Sequence, residues 1–165
     1  MGRHNDDVTP ATKALESAGV AFTVQSYDHD PANRDASHHW GREAADALGL
    51  DRDQVFKTLV VVADGKPAVA IVPVSCQLSL KLAGAALGTK RVEMCDVTLA
   101  ERTTGYVAGG ISPFGQRKRL PTVIDETCEL YDEIYVSGGR RGLDLGIAPA
   151  DLVTFLDATV APLTA

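Results

Sequence analysis

With 165 residues, 45% of them hydrophobic, the chain is long enough to bury a core without disulfide staples and reads as one domain spanning 1–165. A net charge of −6 excludes a general nucleic-acid coat protein, which needs a basic excess, but leaves room for a local basic patch. Cys76, Cys95 and Cys128 form no CxxC pair, which excludes a disulfide framework or a zinc knuckle and favours a reducing cytoplasm. Aromatic residues make up only 5%, so the core must be built from Ala, Val, Leu and Ile, and all three cysteines are expected as buried structural thiols.

The N-terminus "MGRHNDDVTP" has no apolar run, so no signal peptide is expected. Thr9 caps a helix with Pro10 at its first position, and Ala11, Ala14, Leu15 and Ala18 share one face before Gly19 ends it. "VAFTVQSY" reads as a strand ending at Tyr27. Residues 28–40 form a polar loop, and "GREAADALG" a short helix. "QVFKTLVVVADGKPAVAIVPV" is a hairpin turning at Asp64-Gly65. Its apolar runs are strand-length and too short to span a bilayer.

Ser79 caps a helix closed by Gly88, and "RVEMC" is a short strand. Thr98 and Glu101 sit at capping-box spacing in a helix over 97–104. Strands follow near 122–125, 133–137 and 143–147, and Pro149 opens a last helix. Strands and helices mix without regular βαβ alternation. The expected fold is α+β, a mixed sheet curled towards a barrel with helices packed outside.

The chemistry-bearing stretch is "GYVAGGISPFGQRKRLPTVID" at 105–125. Gly105 and Gly110 have Walker A spacing, but Ile111-Ser112 stand where Lys-Ser/Thr is required, and no GxGxxG occurs in the chain. Gly109-Gly110 is then either a tight turn or a pair of backbone N–H groups open to an oxyanion. Arg117, Lys118 and Arg119, with Arg140 and Arg141 later, are either a solvated face or the rim of a site for a polyanion. In "VFKTLVVV" the period of two puts Lys57 beside Val55, Leu59 and Val61. Such a lysine either snorkels out at the strand end or faces a pocket as a fixed cation. His4, His29, His38 and His39 have no metal-binding spacing, and Ser112 lacks a GxSxG elbow. The residues therefore offer no protein nucleophile, no metal site and no cofactor loop.

Four segments carry a resemblance: "YDHDP" at 27–31, "VFKTLVV" at 55–61, the stretch at 105–125, and "IYVSGGRRGLDL" at 134–145. Together they resemble the YbaK/EbsC family, in its branch of free-standing Cys-tRNA(Pro) deacylases, related to an editing domain of some prolyl-tRNA synthetases. The resemblance implies hydrolytic removal of cysteine mischarged onto proline tRNA, without metal or cofactor. The substrate's own thiol would attack its ester. It assigns Lys57 to the terminal adenosine or ester, and Gly109 to close approach of the aminoacyl end. Gly110 and Ile111 would lend backbone N–H groups beside Ser112. Tyr27 and Asp144 would orient the aminoacyl group, and Arg117, Lys118 and Arg119 would meet tRNA or stabilise the fold. A ternary complex with prolyl-tRNA synthetase is a further implied partner. "NRDASHHW" is longer than the family pattern. An Ala-tRNA(Pro) deacylase and a non-catalytic tRNA-binding module stay as alternatives. A small-molecule esterase is disfavoured, because no triad can be assembled.

Overall fold

The computed structural model describes residues 7–28 and 40–165. The four histidines and the long segment 33–39 lie outside the described residues, as does nearly all of the expected loop 28–40.

Helix α1 (Pro10–Ser17) begins as its sequence requires: Thr12 N–H donates to the Thr9 hydroxyl, and Thr9 N–H to the Thr12 hydroxyl. Its buried face is Ala11, Thr12 and Leu15, whereas Ala18 is exposed. Strand β1 (Thr23–Ser26) follows, then α2 (Trp40–Leu48). Strands β2 (Phe56–Ala63) and β3 (Lys66–Pro73) form the expected hairpin. Asp64 and Gly65 both have positive φ, 47° and 83°, as a two-residue turn of this hand demands. The Asp64 carboxylate also accepts from the N–H groups of Lys90 and Arg91, tying the entrance of β4 (Val92–Met94) to that turn.

Ser79 caps α3 (Leu80–Leu87) and Gly88 closes it in the left-handed region. Helix α4 (Val97–Thr104) has its expected span but a different cap. Asp96, not Thr98, accepts from Leu99 N–H at 2.8 Å. Glu101 is thereby free of capping, and its Oε2 accepts from Ala108 N–H at 2.8 Å, gripping the glycine-rich loop. Strand β5 (Thr122–Asp125), a 3-10 helix (Glu126–Leu130), β6 (Ile134–Arg140), β7 (Leu143–Ile147), α5 (Pro149–Leu156) and β8 (Thr159–Ala161) complete the order.

The expected barrel does not close. The described strands form a five-stranded sheet, β4-β2-β3-β5-β8, and a three-stranded sheet, β1-β7-β6. Strand β2 pairs with β3 along its whole length and with β4 only at Val61–Ala63. Val55, just before it, makes an isolated bridge to Tyr135 of β6. Two sheets meeting at one bridge replace the single curled sheet. Between them lies a core of Leu15, Phe56, Ile71, Phe114, Ile124 and Leu145. Within the five-stranded sheet β3–β5 and β5–β8 pair parallel, and the remaining pairs are antiparallel.

Candidate active site

Where the two sheets part, a cavity of about 320 Å³ opens. Its walls come from the first turn of α2, the first half of β2, the start of α4, the glycine-rich loop, and the ends of β1, β6 and β7. Five residues singled out in the sequence line it: Tyr27, Lys57, Gly109, Ile111 and Asp144. They are far apart in sequence, and the pairing of the strands brings them together.

Lys57 faces this cavity and does not snorkel away. Desolvation lowers its pKa, and the neighbouring positive charge of Arg42 lowers it further. Asp144 sits on β7 and is 5% exposed. Burial pushes its carboxyl up to about 7. Pairing of β1 with β7 sets Gln25 opposite Asp144, which carries Tyr27 to the same end. Tyr27 N–H donates to Gly142 O at 2.9 Å. Its phenol is pushed up to about 12, by burial first and by the Asp144 charge second.

The glycine-rich loop is a braced arch. Tyr106 Oη donates to Phe114 O at 2.6 Å across its base, and Glu101 holds Ala108. Gly109 has φ +85°, and a Cβ there would stand 2.6 Å from the Trp40 ring and 2.8 Å from Arg141 Nε. Both the conformation and the space require glycine. Gly110 lies outside the lining, with its N–H donated to Val107 O at 2.9 Å. The N–H groups of Gly109 and Ile111 donate to no acceptor among the described residues. Ser112 is fully buried, and its hydroxyl accepts from Phe114 N–H, so it is part of the arch. Arg117, Lys118 and Arg119 are exposed and outside the cavity lining. Arg117 packs along Gly105 at the end of α4, and Arg119 borders a second, smaller cavity beside α5.

Trp40, Arg42 and Ser137 carried no sequence signal strong enough to place them, whereas Arg141 was expected either on a solvated face or at the rim of a site. Trp40 and Arg42 open α2 and line the cavity. Arg141 lies over the Trp40 ring at 4.7 Å, and its Nε donates to Ala108 O at 2.8 Å. It clamps the arch to the helix start. Ser137, directly opposite Asp144 across the β6–β7 pair, also lines the cavity, as does Cys95. Of the three cysteines only Cys128 is buried, while Cys76 and Cys95 are half-buried. Among the described residues no group of three or more His, Cys, Asp or Glu is placed to hold a metal ion, and no helix is long and apolar enough to cross a membrane.

Residues 38–155 match the family model of the aminoacyl-tRNA editing domain. EbsC of Enterococcus faecalis, whose name proposes a Cys-tRNA(Pro)/Cys-tRNA(Cys) deacylase, is 38% identical over 128 residues, covering 77% of this chain and 78% of its own. A proline–tRNA ligase of Citrifermentans bemidjiense is 35% identical over 88 residues, which is 53% of this chain but only 15% of the ligase. The crystal structure of a proposed trans-editing enzyme for prolyl tRNA synthetase has a TM-score of 0.82 at 25% identity, covering 99% of both chains. Hypothetical protein APE2540 has a TM-score of 0.83 at 21% identity, covering 95% of this chain and 100% of the other, a likeness of fold alone. The half-buried lysine, the raised carboxyl and the glycine arch thus sit in the matched region, and the chain belongs to the aminoacyl-tRNA editing domain family.

Proposed function

We propose that the protein is a free-standing deacylase that removes cysteine mischarged onto proline tRNA in the cytoplasm. The observation that carries this reading is a cavity rich in positioning groups and poor in nucleophiles. Cys95 is the thiol in its lining, and burial, with the charge of Asp96, raises its pKa and keeps it from the thiolate form. Ser137 Oγ accepts from Gly139 N–H, and no hydrogen bond links it to a base among the described residues.

The attacking atom then comes from the substrate. The cysteine thiol gives up its proton and its sulfur adds to the ester carbonyl, the C–O bond to the tRNA breaks, and the 3′-oxygen leaves and takes up a proton. The strained four-membered thioester that forms is opened by water to free cysteine. Overall this is hydrolysis, although the first step is an intramolecular transfer of the acyl group from the 3′-oxygen to sulfur. Orientation of an internal nucleophile supplies an effective concentration of roughly 10⁵ M or more when aligned. Lys57 and the N–H groups of Gly109 and Ile111 hold the developing oxyanion, and Asp144 and Tyr27 hold the aminoacyl group by its α-ammonium. A correctly charged prolyl ester has no thiol and survives. A ternary complex with prolyl-tRNA synthetase fits this role, since an acidic chain gains little tRNA affinity from its overall charge.

The test is turnover. Purified protein is expected to discharge Cys-tRNA(Pro) catalytically, and the Cys95→Ser variant is expected to keep that activity within about threefold. A folded but inactive Cys95→Ser protein would restore a protein thiol as nucleophile, and binding without turnover would leave only a recruitment module.

Asp144 gives the activity a pH signature. If its ionised form holds the α-ammonium, the rate rises as pH passes about 7. Asp144→Asn is expected to remove that limb and leave one nearer 8.5 from the substrate thiol. The stability effect has the opposite sense. A buried carboxyl with a raised pKa favours the folded state in its protonated form below about pH 4, and that contribution is lost as pH rises to 7. Asp144→Asn should therefore be the more stable protein at pH 8, by on the order of a few kcal/mol, and nearly equal at pH 4. Denaturant melts at the two pH values check this.

A further inference from the structure

Lys57 shares its cavity with a second cation. Arg42 lies on the first turn of α2 and lines the same space. Gly41 brings that turn in: a side chain there would collide with Val74, and its Cβ would stand 3.8 Å from Lys57 Cβ. The helix start therefore lies directly against the strand that carries the lysine. Arg42 Nε makes one long hydrogen bond, to Val74 O at 3.4 Å, and its terminal nitrogens make none among the described residues. Neither Arg42 nor Lys57 forms an ion pair among the described residues. The one carboxyl among the described lining residues, Asp144, is itself buried.

Two cations on one partly desolvated wall repel each other, and an anion between them relieves the cost. The aminoacyl end of the substrate brings no standing negative charge. Its α-amino group is cationic, and its oxyanion exists only in passing. Standing charge arrives with the phosphate on the 5′ side of the terminal nucleotide. A guanidinium offers two parallel donors matched to phosphate oxygens, whereas the lysine is a single point of charge.

We propose that Arg42 is a phosphate-binding residue of this site, taking the phosphodiester 5′ to the terminal nucleotide of the acceptor strand and leaving Lys57 for the ester. The identity of the nucleotide rests on the deacylase reading, while the anion site rests on the geometry.

Trp40 is the chain's single tryptophan and lines the same cavity, so its fluorescence reports occupancy. Titrations with AMP, adenosine and inorganic phosphate are compared in wild-type protein, Arg42→Gln, Arg42→Lys and Lys66→Gln. Lys66 is exposed at the far end of the hairpin and controls for charge alone. AMP is expected to bind wild-type protein roughly tenfold or more tighter than adenosine. That advantage should disappear in Arg42→Gln, return in part in Arg42→Lys and persist in Lys66→Gln. In deacylation of Cys-tRNA(Pro), Arg42→Gln should raise KM by a similar factor and make its salt dependence shallower by about 0.7 in the log–log slope, as for one lost single-strand phosphate contact.

Equal binding of AMP and adenosine, or an AMP preference that survives Arg42→Gln, would overturn the proposal. Inorganic phosphate binding as tightly as AMP would overturn the nucleotide assignment in favour of a free-phosphate site. Wild-type protein that deacylates without preferring AMP sinks the Arg42 assignment alone. Protein that prefers AMP through Arg42 but never deacylates sinks the enzymatic reading alone.

Discussion

Lys57→Ala is expected to lower the deacylation of Cys-tRNA(Pro) by roughly 10²–10³-fold, the usual cost of removing a charge-stabilising donor from a preorganised site. The fold should survive. Lys57 is half-buried on β2 and makes no ion pair among the described residues, and the strand around it is held by β3 along its whole length. The loss is large because of where the cation sits. A surface lysine interacts through water, but this one faces a desolvated wall, where a charge acts on its neighbours far more strongly. Circular dichroism and a thermal melt establish that the variant is folded, and single-turnover discharge of the tRNA gives the rate. A folded Lys57→Ala enzyme with wild-type turnover would remove the lysine from the chemistry.

Gly109→Val should be nearly as damaging, by a different route. The backbone there has φ +85°, where a β-branched residue is strained by more than about 1 kcal/mol. The space is filled as well. A Cβ at Gly109 would meet the Trp40 ring and Arg141 Nε, so the substitution would push apart the stack that clamps the arch to α2. A side chain at this glycine would therefore displace two rim residues, beyond any crowding of the aminoacyl end. Activity is expected to fall roughly 10²-fold, the cost of an ångström-scale misplacement. Trp40 fluorescence should change with it, because the guanidinium leaves the ring. Normal turnover with an altered tryptophan spectrum would separate the stack from catalysis.

Helix ends and the hairpin were legible because each depends on a few local residues. Thr9-Pro10, Ser79, Gly88 and the Asp64-Gly65 turn all act within four positions of themselves. The Thr98–Glu101 spacing misled because Asp96, two residues earlier, is the stronger cap and leaves Glu101 to bind the arch. Pairing was not legible. Nothing in the alternation of β5 or the three residues of β8 says that they run parallel to β3 and to each other. Nor does it say that β4 covers β2 only at Val61–Ala63 and that a single bridge at Val55 links to β6, which leaves two sheets where one sheet curled towards a barrel was expected.

The site divides in the same way. Lys57 was visible as a charge on an apolar strand face. Tyr27 and Asp144 become neighbours only through the β1–β7 register. Trp40 and Arg42 went unread because they follow a polar stretch and open a short helix. Large aromatic and basic residues flanking a glycine at a helix start were the available signal. Gly110 and Ser112 share the motif of Gly109, but the arch uses them for its own bracing.

The central claim is that the cavity poises a sulfur the substrate brings with it. The direct measurement is discharge of one tRNA(Pro) carrying cysteine, serine or alanine, by the same enzyme at the same pH. Rapid release of cysteine, with serine and alanine lost no faster than without enzyme, is the result expected. Alanine released as fast as cysteine would contradict it, because the attacking atom would then have to be a water or a group of the protein.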